Sequence, residues 1–296
     1  MKKRKFKWAL VLSGGGARGF AHVGVLNALE EAGFPGPSLI VGTSMGAIVG
    51  GLYACGMPAR EITRYVLDEF KIGDYLESFV FRLDGPVGQF IQTGQVLASL
   101  ATRPGVDKGH KLLELFERLT AGKTFEETGI PFRCNAVDLF NGREVVFNSG
   151  SVAKAIRASM SFPVFFEPLV EGGMCLVDGG LFDNMPVVIA RNEGYRHVMA
   201  VNVNRFDLYD EDRVKNAPQI IFRSMECVLR ARERDKKHMA DLTLNVTDDA
   251  TPFSFYRKRE FIRLGERVVN NNIKCLERFF KSSLRRFRSP VVCGIV

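Results

Sequence analysis

Several familiar chemistries are missing from this 296-residue chain. Its six cysteines (Cys55, Cys134, Cys175, Cys227, Cys275 and Cys293) form no C-x-x-C pair and show no metal-ligand spacing. Free thiols in a reducing compartment are the simplest reading. There are only four histidines, His22, His110, His197 and His238. None follows a late strand in a loop, where a hydrolase base usually sits, and His22 lies inside the first predicted helix, where packing is its expected role. No stretch approaches the roughly 18 apolar residues of a membrane span. The basic start, Met1-Lys2-Lys3-Arg4-Lys5, is followed by an apolar run too short for a signal peptide, so a soluble, cytoplasmic protein is expected. Internal repeats and low-complexity tracts are absent as well.

What is present has the composition of a globular domain, 46% hydrophobic and 25% charged. The formal net charge of +8 favours anionic partners. Charge alone does not make a nucleic-acid protein, and no recognition motif accompanies it. Residues 8–12 read as a short buried strand, 19–33 as a helix, 39–43 as a second strand, and 45–54 and 58–70 as further helices. That alternation implies parallel pairing with right-handed crossovers. Residues 71–108 are irregular and long enough for a lid or a substrate-binding wall. An amphipathic helix is expected over 111–119. Strands over 132–139 and 144–147 are joined by Asn141-Gly142, a hairpin signal. A helix over 151–160 is capped by Ser151, and a late buried strand spans 197–203. Basic helical segments follow, over 222–238 and 274–288. The second carries Lys274, Arg278, Lys281, Arg285 and Arg286 beside Leu276, Phe279, Phe280 and Leu284. Such a helix can pack its apolar side or lie on an anionic membrane.

The chemistry is concentrated early. Gly42-Thr43-Ser44-Met45-Gly46 is a G-x-S-x-G that follows an apolar strand and precedes a helix of small residues. A serine on such a turn is exposed as a nucleophile. Upstream, Ser13-Gly14-Gly15-Gly16-Ala17-Arg18-Gly19 offers amides free of side chains, as an oxyanion requires. The same loop fits a dinucleotide fingerprint, but the second strand ends without the carboxylate that would hold a ribose. No Gly-Lys-Ser/Thr follows it, which removes a phosphate-binding P-loop. Ser44 needs a base. The shortage of histidines directs attention to carboxylates, first Asp178 in Asp178-Gly179-Gly180, then Asp183 and Asp138.

The glycine loop, Gly42 to Gly46 and Asp178-Gly179-Gly180, in this order, resemble the patatin-like phospholipase family. Ala158-Ser159-Met160-Ser161-Phe162-Pro163 and Asp183-Asn184-Met185-Pro186 are similar to it too. The resemblance covers about 6–205. It implies a three-layer α/β/α sandwich with a mainly parallel central sheet, and lipid acyl hydrolysis by a Ser-Asp dyad. Ser44 would be the nucleophile, Asp178 the base, and Gly14, Gly15, Gly16, Ala17 and Arg18 the oxyanion loop. No metal or organic cofactor is expected. The partners would be a lipid or other acyl ester and an anionic membrane surface, with no nucleic acid. On this reading 6–205 form the catalytic domain and 206–296 a basic helical extension packed on it or continuous with it. Acyl transfer with the same dyad, or a catalytically silent binding protein of the same fold, are the alternatives.

Overall fold

The computed structural model describes residues 6–76, 104–204, 220, 223–224, 227–228, 240–246, 250, 252–281 and 291–294. Most of 71–108, nearly all of 222–238 and the stretch 282–288 lie outside the described residues.

At the centre is β1 (Ala9–Leu12), four apolar residues with no exposed side chain. It pairs in parallel with β2 (Leu39–Gly42), Ala9 opposite Leu39. A strand covered on both faces reads as a continuous apolar run, and its two sets of side chains divide between two layers. Leu10 and Leu12 join a large cluster with α1 (Phe20–Glu31) and α2 (Met45–Ala54). Ala9 and Val11 point the other way. They meet Val187, Ile189 and Ala190 of a helix described below. The molecule is therefore a three-layer α/β/α sandwich.

After α2 come α3 (Ala59–Arg64), a π-helical turn over Tyr65–Glu69 and α4 (Ile72–Tyr75). The segment 58–70 is thus not one uniform helix. Its last carbonyls, those of Val66 and Phe70, accept from the Lys258 ammonium at 2.5 and 2.6 Å. The chain continues through β3 (Gly105–Asp107), α5 (His110–Leu119), β4 (Phe132–Asp138), β5 (Arg143–Phe147) and α6 (Val152–Ser159). Then follow β6 (Val164–Phe166), β7 (Leu169–Glu171), β8 (Met174–Asp178), α7 (Val187–Asn192) and β9 (Val198–Asn202). The closing elements are β10 (Leu242–Asn245), α8 (Lys258–Asn271), α9 (Ile273–Lys281) and β11 (Val291–Gly294).

The main sheet has the order β11-β10-β9-β1-β2-β4-β8-β7, with β5 also on β4. Strands β11 to β4 in that order are parallel. Those joining β5, β8 and β7 are antiparallel. The residues after 206, read from the sequence as helical, therefore supply two strands to the same sheet. They also supply α8, which lies on α1. A Cβ at Gly24 would run into the Ile262 carbonyl, and one at Gly265 into the Ala21 carbonyl, so the two helices meet backbone to backbone. This explains why α1 is buried from Phe20 to Leu29 rather than along one stripe.

Candidate active site

Ser44 sits between the C-terminal end of β2 and the N-terminus of α2, with φ 53° and ψ −120°. A residue with a side chain rarely adopts this conformation, and the strain persists only where its surroundings hold it. They do so here through the flanking glycines. A Cβ at Gly42 would strike the Gly46 carbonyl, and one at Gly46 the Leu12 carbonyl, so neither position has room for a side chain. The Ser44 amide donates to the Ser159 hydroxyl at 2.9 Å, which ties the turn to the end of α6.

The Ser44 hydroxyl is near enough to the carboxylate of Asp178 to be among the influences that lower its pKa. Asp178 ends β8, is 2% exposed, and accepts from the Gly180 amide at 2.7 Å. Burial raises its pKa to about 6, against the lowering effect of those two donors. Sheet pairing brings the residues together. β2 and β8 both flank β4, with Gly42 opposite Cys134 and Asp178 opposite Ala136.

Between them on β4 is Asn135, fully buried. Its side-chain oxygen accepts from the Thr43 hydroxyl at 2.7 Å. Its amide nitrogen donates to the Asp183 carbonyl at 2.9 Å and to Glu144 at 2.8 Å. Thr43 also reaches the Asp183 carbonyl at 3.1 Å. One side chain thus fixes the serine turn relative to the loop that starts at Asp178. The sequence reading missed Asn135, although an amide in the apolar run 132–137 was the available signal. Arg157 was missed as well. It is 2% exposed and donates to the Ser161 hydroxyl and to the carbonyls of Lys108 (2.6 Å), Gly109 (3.2 Å) and Glu167 (3.0 Å). The Ser161 carbonyl in turn accepts from the Asp178 amide at 3.0 Å.

The glycine loop lies beside this pair, and its amides are not equivalent. Gly14 donates to the Asn184 carbonyl at 3.0 Å and Ala17 to the Pro252 carbonyl at 2.7 Å. Grouped with the oxyanion donors in the sequence reading, these two amides are engaged within the protein. No described residue accepts from the amides of Gly15 or Gly16. The Arg18 side chain donates from Nε to the Ala250 carbonyl at 2.8 Å, which ties Ala250 to the loop.

The other candidates have different work. Asp183 accepts from the Met185 amide at 3.3 Å. Asp138 accepts from the Phe140 and Cys175 amides and from the Asn141 side chain, and fixes the β4–β5 hairpin. His22 is fully buried, with Nε2 donating to the Ser13 carbonyl at 2.8 Å. Burial depresses its pKa to about 4, so at neutral pH it is an uncharged strut between α1 and the loop. His110 begins α5, and His197 packs on Phe6. His238 lies outside the described residues. Among the described residues no group of three acidic, cysteine or histidine side chains is arranged to hold a metal ion.

The family model described as patatin-like phospholipase matches residues 10–191. The chain is 36% identical over 200 residues to the lysophospholipase NTE1 of Mycosarcoma maydis, covering 67% of this chain and 10% of that protein. With the lysophospholipase NTE1 of Saccharomyces cerevisiae it is 33% identical over 198 residues, covering 67% and 11%. The chain thus spans about a tenth of the length of these relatives. Among solved structures, VipD from Legionella pneumophila has a TM-score of 0.51 at 18% identity, covering 93% of this chain and 67% of that one. At that identity the likeness concerns the fold.

Proposed function

The chain belongs to the patatin-like phospholipase family, and we propose that it hydrolyses lipid carboxylic esters with Ser44 as nucleophile and Asp178 as base. The observation that carries this reading is the strained Ser44 turn beside the buried Asp178 carboxylate, whose pKa burial raises to about 6 against the lowering influence of the Ser44 hydroxyl. An ordinary carboxylate is a poor base near neutrality. One that titrates near 6 is better matched to taking a proton in the transition state.

In the first step Asp178 accepts the hydroxyl proton as Ser44 Oγ attacks the ester carbonyl. The Gly15 and Gly16 amides donate to the oxyanion as it forms. Collapse of the tetrahedral intermediate releases the alcohol portion, which takes up the proton, and leaves an acyl-enzyme. Water then attacks with Asp178 again as base, releasing the fatty acid and regenerating Ser44. Asn135, Thr43 and Ser159 act by holding the two reacting groups in register. The lysophospholipase names of the relatives favour a single-chain phospholipid as the substrate class.

The test is a panel of lysophospholipids, diacyl phospholipids and a short soluble ester, assayed with wild type and Ser44→Ala beside covalent labelling by a fluorophosphonate. Hydrolysis and labelling by wild type alone support the reading. Undiminished hydrolysis by a folded Ser44→Ala protein sinks it.

A further inference from the structure

Basic amphipathic α9 is where the sequence suggests contact with a membrane, but its apolar side is used internally. Leu276 and Phe279 are fully buried, and Phe280 stacks on Phe34 with centroids 4.9 Å apart. Large exposed apolar side chains gather elsewhere, on the two hairpins at the antiparallel end of the sheet. Leu139 is 53% exposed, Phe140 66% and Val170 67%.

The registers show how these residues relate. Asp138 is opposite Leu176, and the Leu139 amide donates to the Cys175 carbonyl at 2.8 Å. Val170 is opposite Cys175 on the other side. Leu139 and Val170 therefore flank Cys175 in one row across three strands, and side chains in such a row share a face. Phe140 follows at the tip.

The direction of β4 gives the arm its place. β4 is parallel to β2, and Ser44 lies just past the C-terminal end of β2. Asp178 is level with Ala136. β4 runs two residues beyond Ala136 to Asp138, roughly 7 Å further out at the rise of an extended chain, and the turn carrying Leu139 and Phe140 follows there. The tip thus stands beyond the level of Asp178, on the carboxyl edge of the sheet, where α/β folds open their sites.

The tip is also held in shape. The buried Asp138 carboxylate accepts from the Phe140 amide at 3.1 Å, the Cys175 amide at 3.2 Å and the Asn141 side chain at 2.6 Å. Two acidic neighbours are neutralised or bonded: Glu171 by Lys154 at 2.5 Å, and Glu144 by Asn135. The Arg143 side chain, which also lies 3.9 Å from the buried Asp138 carboxylate, is 66% exposed. The arm therefore presents apolar side chains with a cation beside them, on a chain of net charge +8. That combination suits the interface of an anionic bilayer, where apolar groups enter the acyl boundary and Arg stays at the headgroups.

We infer that this arm is the membrane contact, with Leu139, Phe140 and Val170 inserted and Arg143 at the headgroups, so that the Ser44 site opens toward the lipid surface. The inference rests on the lipid-ester reading above and names the surface through which that site reaches its substrate.

The test pairs two variants with two assays. Leu139→Ser/Phe140→Ser changes only exposed tip side chains. It should weaken co-sedimentation with phosphatidylcholine–phosphatidylglycerol vesicles by about tenfold to a hundredfold, the loss expected for two partly buried large side chains. Hydrolysis of a short soluble ester should be unchanged. Phe140→Trp should show emission that shifts to the blue on adding the same vesicles, against the constant signal of the one native tryptophan, Trp8, which is 1% exposed. Equal binding by wild type and the double variant, no vesicle binding by wild type, or no emission shift would each overturn the inference and leave a protein as the partner of the arm. Failure of the wild type on every ester would instead sink the Ser44 reading, on which neither vesicle measurement depends.

Discussion

Asp178 and Asp138 are built alike and tuned in opposite directions. Each is the last residue of its strand, each is buried, and the two strands are neighbours. Asp138 is met by the Asn141 side chain and two backbone amides, with Arg143 at 3.9 Å. The Asn141 hydrogen bond leads the causes that hold its pKa below the ordinary carboxylate range. Asp178 is met by one amide and the Ser44 hydroxyl, burial dominates, and the pKa rises to about 6. The two differ in which influence leads, desolvation at Asp178 and the Asn141 hydrogen bond at Asp138.

The comparison breaks most sharply at the carboxylates themselves. Asp178→Asn should lower soluble-ester turnover about 10⁴-fold, close to Ser44→Ala, because the amide cannot take the proton. Asp138→Asn should leave turnover within about twofold. If Asp138→Asn proved as damaging as Asp178→Asn in a protein that still melts cooperatively, the two roles would need to be exchanged.

A pH profile sharpens the same contrast. Turnover should fall as pH drops through about 6, where Asp178 takes up its proton. His22→Gln should keep that limb, since His22 titrates near 4. Stability should respond with opposite signs at the two carboxylates. The raised Asp178 pKa means that the folded state binds more protons between the ordinary carboxylate range and about 6. This group therefore costs stability as pH rises through that window, and Asp178→Asn should remove the cost at neutral pH. Asp138, with its pKa lowered, contributes stability above its unfolded value and loses it as pH falls through the folded one. Melting curves of both variants from pH 2 to 8 would check the signs.

A smaller effect is expected one layer back. Thr43→Val removes the donor to Asn135 and to the Asp183 carbonyl, and should cost about 1–2 kcal/mol of stability. It should also lower kcat about tenfold, through lost alignment of Ser44 with Asp178. KM should hardly move. A KM effect with normal kcat would mean that Thr43 shapes the substrate pocket instead. The smallest effect belongs to the hairpin: Asp138→Asn should lower Tm by several degrees, which scanning calorimetry would read.

Much of this arrangement was legible in the sequence where the signal is local. The run at Ala9–Leu12, the elbow at Ser44 and the glycines around it are short-range patterns, and the structure shows the same elements there. The strand-helix alternation implied the parallel pairing, and the motif resemblance implied the three-layer sandwich. Asn135 was not legible as a hub, because its partners Thr43 and Asp183 lie 92 and 48 residues away and meet it only across the assembled sheet. β10 and β11 were overlooked because the sequence after 205 was read as basic and helical, and Leu242–Asn245 alternates apolar and polar residues rather than forming a continuous apolar run like β1. The engaged amides of Gly14 and Ala17 were hidden for a similar reason. Their acceptors are the distant carbonyls of Asn184 and Pro252.

The bond from the Ala17 amide to the Pro252 carbonyl has a consequence during synthesis. A ribosome delivers the N-terminal strand and the glycine loop first, yet the segment that braces the loop follows 235 residues later, as 252 − 17 gives. β1 likewise waits for β9 before its second edge is paired, Ala9 with Val198. Contacts this far apart close late and make folding slow. A nascent chain that has not yet emerged as far as Pro252 therefore carries Ser44 without the brace on its neighbouring loop.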